Sequence, residues 1–69
     1  MMTFTVEYER EADGRWMAEV IELPGALAYG GTENEAIAKA QAFALRVLAD
    51  RLEHGEGKPE FVSISFAAA

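Results

Sequence analysis

Apolar and polar residues alternate near the start of the chain. Within residues 3–10, threonine and glutamate separate Phe4, Val6 and Tyr8 from one another. Alternation at every second residue is typical of a β-strand that buries one face and leaves the other in water. We therefore predict a first strand at residues 3–10, with these three side chains directed toward the core.

A second alternating segment follows at residues 15–21. One of its faces is entirely apolar, and the other mixes apolar residues with glutamate. The dipeptide Asp13-Gly14 before it is favoured in tight hairpin turns, because such turns need positive φ. We predict a β-hairpin whose second strand directs Trp16, Ala18 and Val20 to one face.

A proline and a glycine then interrupt the strand pattern. Pro24 has no backbone N–H to continue a ladder, and Gly25 lets the chain turn where a side chain would clash. Residues 26–29 lie between this turn and a pair of glycines. We predict a short third strand there, because two strands alone are marginally stable in water.

The longest predicted element is a helix at residues 33–54. Thr32 and Glu35 have the spacing of a capping box, in which each residue satisfies a free amide of the first turn. The residues with helical spacing that predict its core stripe are Ala36, Ile37, Ala40, Phe43, Ala44, Val47 and Leu48. Because this helix is longer than the predicted strands, we expect one end to overhang the sheet or to dock on a neighbour.

The final strand is predicted at residues 61–66, with Val62, Ile64 and Phe66 on its core face. We predict no regular structure for residues 67–69. The order β-β-β-α-β over residues 1–69 predicts a single domain of the α+β class, with two layers: one small sheet packed by a single long helix. A strand that returns after a crossover helix is expected to lie parallel to the strand it joins.

The size of the chain limits how it can be stabilised. It has 69 residues and no cysteine, which excludes disulfides and thiolate metal sites. A single core of this size supplies only about 3–5 kcal/mol. We therefore expect a homo-oligomer, a dimer or a tetramer, in which Trp16, Leu45 and Leu52 serve self-association.

The charge of the chain bears on its partners. Twelve acidic and six basic residues give a formal net charge of −6, and the basic residues form no cluster. Because binding to a phosphate backbone needs clustered bases, we expect no direct nucleic-acid binding and instead a small basic protein partner. Glu7, Glu9 and Glu19 are predicted to supply the complementary charge.

No apolar run has the length of a membrane span, and the N-terminus has no signal-peptide pattern. The prediction is therefore a cytoplasmic protein without a membrane partner.

Few residues could perform catalysis. His54 is the one strong candidate for a base near neutral pH, but a histidine at a helix end commonly binds the last carbonyls. Glu7, Glu9 and Glu19 could hold Mg²⁺ or act as an acid–base pair. Alternating glutamates more often form the solvated face of a sheet. We predict no catalytic, cofactor-binding or metal-binding residue and hence no enzymatic activity.

Several short motifs together resemble one family. They are Asp13-Gly14, Trp16 with Ala18, Leu23-Pro24-Gly25, Gly31-Thr32 and Glu35-Ala36. In this order and spacing they resemble the HicB-like antitoxin family of bacterial toxin–antitoxin systems, from Phe4 to the end of the predicted helix. The resemblance implies a β-β-β-α-β fold, described in that family as a degraded RNase H-like domain without nuclease activity.

The resemblance also implies a function. In that family the domain oligomerises and blocks a small basic HicA-type toxin, which is an mRNA interferase. Many members carry a C-terminal DNA-binding domain, and we expect this chain, which runs to Ala69, to lack it. The prediction is a non-enzymatic interaction module of the antitoxin type. The alternatives are a metal-dependent RNase H-like nuclease remnant that uses the same carboxylates, and an orphan solitary domain that senses a ligand.

Overall fold

The computed structural model describes residues 2–55 and 63–69. Within these residues the elements follow in the order β1 (Met2–Arg10), β2 (Trp16–Val20), β3 (Leu27–Gly30), α1 (Glu33–Glu53) and β4 (Ile64–Ala68). The molecule is a small α+β domain with a four-stranded mixed sheet and one helix. The predicted β-β-β-α-β order is confirmed.

The strands lie side by side in the order β3-β2-β1-β4. β1 and β2 are antiparallel, β2 and β3 are antiparallel, and β4 runs parallel to β1 as predicted for a strand after a crossover helix. Val6 lies opposite Val20, and Tyr8 lies opposite Ala18. Because side chains alternate along a strand, the even-numbered residues of the sheet share the face that packs on α1.

The core lies between this face and α1. The buried residues are Phe4, Val6, Ala18, Val20, Leu23, Ala26, Ala36, Ala40, Ala44 and Leu48. Of the predicted helical stripe, the three alanines and Leu48 are buried, while Ile37 and Val47 are half-buried. The prediction of Phe43 as a core residue is wrong, since it is 37% exposed. Alanines bring the helix close to the sheet, which leaves room for a phenyl ring only at the flank of the contact.

The start of α1 lies directly against the end of β3. A Cβ atom at Gly30 would lie 2.6 Å from the backbone nitrogen of Ala36. Real side chains do not approach a backbone atom so closely, so only a glycine fits at this position. The contact between helix and strand is therefore made in part by backbone atoms.

Both ends of α1 carry caps. Thr32 Oγ1 accepts a hydrogen bond from the Glu35 N–H at 3.1 Å, as predicted. The Glu35 carboxylate binds Lys39 Nζ at 2.9 Å rather than the cap residue, and this bond lowers the pKa of Glu35. At the other end His54 is the cap, and its Nδ1 lies 2.8 Å from the Asp50 carbonyl oxygen. The predicted structural role of His54 at the helix terminus is confirmed.

β4 extends further along the chain than predicted. Ala67 and Ala68 belong to the strand, and the Ala69 N–H donates to the Val6 carbonyl at 3.0 Å. The prediction of no regular structure is wrong for Ala67 and Ala68, whereas Ala69 lies beyond the end of the strand. The long strand β1 offers pairing partners this far, and alanines give no alternation by which the sequence could show it.

The predicted core face of the last strand is confirmed where the structure describes it. Ile64 and Phe66 are partly buried and pack against the core, and the Phe66 ring lies 5.9 Å from the ring of Phe4. Residues 61 and 62, which were predicted to begin this strand, lie outside the described residues.

α1 extends past the sheet. Its last buried residue is Leu48, and residues 49–55 are all exposed. The molecule measures 40 × 20 × 16 Å along its principal axes. The overhang predicted from the length of the helix is confirmed.

Candidate functional site

The face of the sheet opposite α1, here called the outer face, carries the predicted partner-binding residues. It is formed by the odd-numbered residues of the strands, because the even-numbered ones face the helix. Its members are Thr3, Thr5, Glu7, Glu9, Met17, Glu19, Leu27, Tyr29, Ser65 and Ala67. The outer face therefore has an acidic centre, a polar side toward β4 and an apolar side toward β3.

The three predicted glutamates meet at the centre of the outer face. Glu7 lies directly opposite Glu19 on the neighbouring strand, and Glu9 lies opposite Met17. Glu7 and Glu9 are exposed, Glu19 is half-buried, and the group lines a shallow depression of about 300 Å³. Like charges directly opposite one another destabilise an antiparallel pair. The arrangement therefore keeps negative charge at one place at a cost in stability.

No cation in the described part of the chain forms an ion pair with these glutamates. The ion pairs found there join Arg15 to Asp13, Lys39 to Glu35, and His54 to Asp50. The acidic centre is therefore open to a cation from outside the domain.

An apolar patch adjoins the acidic centre on the side of β3. Met17 lies opposite Tyr29, and Glu19 lies opposite Leu27. The Arg15 guanidinium lies 4.6 Å from the centroid of the Tyr29 ring, a distance at which a cation attracts the face of an aromatic ring. This patch of Met17, Leu27 and Tyr29 gives the outer face an apolar contact area beside its charge.

Arg15 is itself held in place by Asp13. The Arg15 N–H donates to Asp13 Oδ1 at 3.0 Å, and Arg15 Nε donates to Asp13 Oδ2 at 2.7 Å. The two hydrogen bonds lower the pKa of the Asp13 carboxyl, and the bond from the Arg15 backbone has the larger effect. Asp13 thus links the hairpin turn to the cation above Tyr29.

Glu22 is a further acidic residue of this face that the sequence analysis missed. The Thr5 N–H donates to Glu22 Oε1 and the Thr5 hydroxyl donates to Glu22 Oε2, each at 2.8 Å. These hydrogen bonds lower the pKa of the Glu22 carboxyl, and the bond from the Thr5 backbone has the larger effect. The residues are 17 positions apart, so only the register of β1 against the turn after β2 could have shown their contact.

The carboxylates of the described residues are not grouped as metal ligands. In residues 2–55 and 63–69, no group of three or more His, Asp or Glu side chains is placed to hold one metal ion. Glu7, Glu9 and Glu19 share a face but extend from it in parallel, as side chains on one face of a sheet do. Two-metal hydrolysis needs carboxylates that converge, and this arrangement does not favour it.

Comparison with protein-family models, curated proteins and solved structures found no match to this chain. The features that bear on function are therefore the geometry of the chain itself and the motifs in its sequence.

The residues predicted to serve self-association lie in different environments. Leu45 and Leu52 on α1 are 47% and 42% exposed. Trp16 is half-buried and packs against the core from the helix side of the sheet. The two leucines are exposed on the helix, whereas the tryptophan is partly covered at the core.

The described helix is too polar along its length to cross a membrane.

Proposed function

We propose that this chain is a non-enzymatic protein-interaction module whose outer face binds a small basic protein. The observation that carries the proposal is the acidic centre, in which Glu7 lies opposite Glu19 without a cation from the described part of the chain. A partner that supplies lysines or arginines relieves the repulsion between these carboxylates on binding. The cost that the free domain bears then becomes part of the affinity.

The neighbouring apolar patch supports a protein partner over a small ion. Protein interfaces combine an apolar centre with a polar rim, and aromatic residues and methionine are enriched in them. Leu27 and Tyr29 are 36% and 41% exposed, beside the half-buried Met17. A protein surface can cover this patch and neutralise the glutamates at once.

The most specific form of this proposal is a HicB-type antitoxin that neutralises a basic HicA-type mRNA interferase in the cytoplasm. Its support is the set of motifs that resemble that family, together with the fold. Leu23-Pro24-Gly25 forms the turn between β2 and β3, and Thr32 with Glu35 begins the helix. The relationship to a degraded RNase H-like domain is part of the same proposal.

The test begins with the tagged chain as bait in lysate of its source cells, with mass spectrometry of what it retains. We expect a small basic protein in a fixed ratio. That protein is then purified, its cleavage of RNA is measured with and without the chain, and its affinity is measured by calorimetry. We expect the chain to inhibit cleavage.

The site is tested by charge reversal with a matched control. The variant Glu7→Lys, Glu9→Lys and Glu19→Lys changes the formal net charge from −6 to zero. A control reverses three acidic residues of α1, Glu33, Asp50 and Glu53, and has the same net charge. We expect the first variant to bind about tenfold to a hundredfold more weakly than the control.

Equal binding by the two variants would contradict the proposed site, since net charge alone would then explain the affinity. Failure to find any basic partner, with only the chain itself recovered, would contradict the antitoxin role.

A further inference from the structure

Among the described residues, β3 is an outer strand of the sheet, and its open edge carries backbone groups that β2 does not satisfy. The Val20 N–H donates to the Ala26 carbonyl at 2.9 Å, so this pair is hydrogen-bonded. In an antiparallel ladder, hydrogen-bonded and non-hydrogen-bonded pairs alternate. The pairs of Glu19 with Leu27 and of Met17 with Tyr29 are therefore of the second kind. The N–H and C=O groups of Leu27 and Tyr29 consequently point away from the sheet.

The hydrogen bonds between β2 and β1 independently show in which direction the backbone groups of Glu19 point. The Ile21 N–H donates to the Thr5 carbonyl at 3.0 Å, which makes the opposite pair of Glu7 and Glu19 hydrogen-bonded to each other. Glu19 therefore directs its backbone groups toward β1 and not toward Leu27. The two observations agree that Leu27 presents both backbone groups at the open edge.

β3 has only four residues, and a short edge strand is itself a protection against pairing. It lacks the charged side chains by which natural sheets also guard their exposed edges. Residues 23–32 contain no charged residue, although the chain as a whole carries −6. Copies of the chain repel one another through their acidic outer faces, and both edge strands, β3 and β4, are uncharged. The β3 edge carries the larger apolar side chains on the outer face, Leu27 and Tyr29, whereas β4 has Ser65 and Ala67 there.

The spacing of the edge residues fits a second copy of β3. An antiparallel pair with its twofold axis at Ala28 places Leu27 opposite Tyr29 of the second copy, and Tyr29 opposite Leu27. Each of these two pairs exchanges both backbone hydrogen bonds, because all the groups involved already point outward. On the outer face the leucine and tyrosine side chains form aromatic–aliphatic cross-strand contacts, a stabilising kind of pair.

The helical layer also fits this arrangement. α1 packs on β2 and β3 to a similar extent and less on β1, so it lies toward the β3 side of the sheet. The helices of two paired copies therefore lie next to each other on the same side of the joined sheet.

We infer that the chain forms a twofold-symmetric dimer by antiparallel pairing of β3 with β3 of a second copy. The two four-stranded sheets become one continuous sheet of eight strands, covered by two antiparallel helices on one side. This inference shares Leu27 and Tyr29 with the apolar patch of the proposed function, but it uses the backbone edge of β3, and self-association is measured with the chain alone.

The test compares two exposed leucines, Leu27 at the β3 edge and Leu45, which the sequence predicted to serve self-association through α1. Leu27→Lys adds a charge to the β3 edge, whereas Leu45→Lys adds the same charge to the outward face of α1. Sedimentation velocity over a dilution series measures the dimer dissociation constant of each variant. We expect Leu27→Lys to raise it by about tenfold or more, since the change enters a twofold interface twice, and Leu45→Lys to leave it close to that of the wild-type chain.

Amide hydrogen exchange gives a second readout that also reports whether the variant is folded. In the dimer, the amides of Leu27 and Tyr29 are protected, and dilution or Leu27→Lys exposes them. The Ala28 amide stays protected in both states, because it bonds to β2. A wild-type chain that is monomeric at every concentration, or a dimer that Leu45→Lys breaks and Leu27→Lys does not, would overturn the inference.

Discussion

Every strand of the sheet has one series of side chains on the helix face and one on the outer face, and the two faces differ in polarity and charge. The helix face carries the apolar core, and the start of α1 lies against the end of β3 through backbone atoms at Gly30 and Ala36. The outer face is more polar and places two glutamates directly opposite each other. The first arrangement favours stability, whereas the second sacrifices some stability to keep charge exposed. The difference indicates that the helix face holds the fold together and the outer face is available for binding.

The largest effect on stability is expected at Gly30, where the contact between β3 and α1 leaves no space for a side chain. Gly30→Ala places a Cβ atom 2.6 Å from the Ala36 nitrogen, and the helix must shift. We expect a loss of about 1–3 kcal/mol in the free energy of unfolding, measured by urea denaturation followed by circular dichroism. Gly31→Ala is the matched control, because the nearest atom to its Cβ is the end of the Glu35 side chain at 3.9 Å. Equal losses in the two variants would contradict the close contact at Gly30.

A smaller effect on stability is expected from the loss of the two hydrogen bonds that Thr5 donates to Glu22. The pKa of Glu22 is lowered below its ordinary value of 4.5, so the ionised carboxylate stabilises the folded state. This contribution is complete above pH 4.5 and is lost as the pH falls through the lower folded-state pKa. We expect Glu22→Gln to reduce stability at neutral pH, and the difference from the wild-type chain to disappear in acid.

The partner residue provides the control for this pH dependence. Thr5→Val removes the hydroxyl that donates to Glu22 Oε2 but keeps the backbone N–H. In this background Glu22→Gln should have a smaller effect on denaturation curves between neutral and acidic pH. If Glu22→Gln reduced stability as much in this background as in the wild-type chain, the Thr5 hydroxyl would contribute nothing to holding Glu22.

The smallest effect, and one of opposite sign, is expected at the acidic centre. Glu19→Gln removes the like charge opposite Glu7 and should stabilise the domain by about 0.2–1 kcal/mol. Because both groups are accessible to ions, the gain should shrink as salt is added. Denaturation at low and high ionic strength measures this, and a loss of stability at low salt would contradict the repulsion between Glu7 and Glu19.

The alternation of residues was sufficient to predict the strands of the hairpin and the face on which each side chain lies. The helix start followed from the spacing of Thr32 and Glu35. The same pattern also indicated that Glu7 and Glu9 share a face. These features are local, since each depends on residues close together in the chain.

The errors concern features that depend on distant parts of the chain. Phe43 has the correct helical spacing for the core. Whether its ring fits between helix and sheet, however, depends on how closely the alanines let the helix approach. Ala67 and Ala68 carry no alternation, and their pairing follows from the length of β1. The contact between Glu22 and Thr5 likewise requires the register of two segments. The apolar patch beside the acidic centre became visible only when β3 was placed next to β2.

The alanine stripe of α1 has a consequence for how the domain responds to temperature. The heat capacity change of unfolding grows with the apolar area that unfolding exposes. Ala36, Ala40 and Ala44 are fully buried, but each exposes much less apolar area on unfolding than a leucine at the same position would. The stability of this domain should therefore change only gradually between cold and warm conditions, and a weakly curved plot of unfolding free energy against temperature is the expected signature of a helix that packs through alanines.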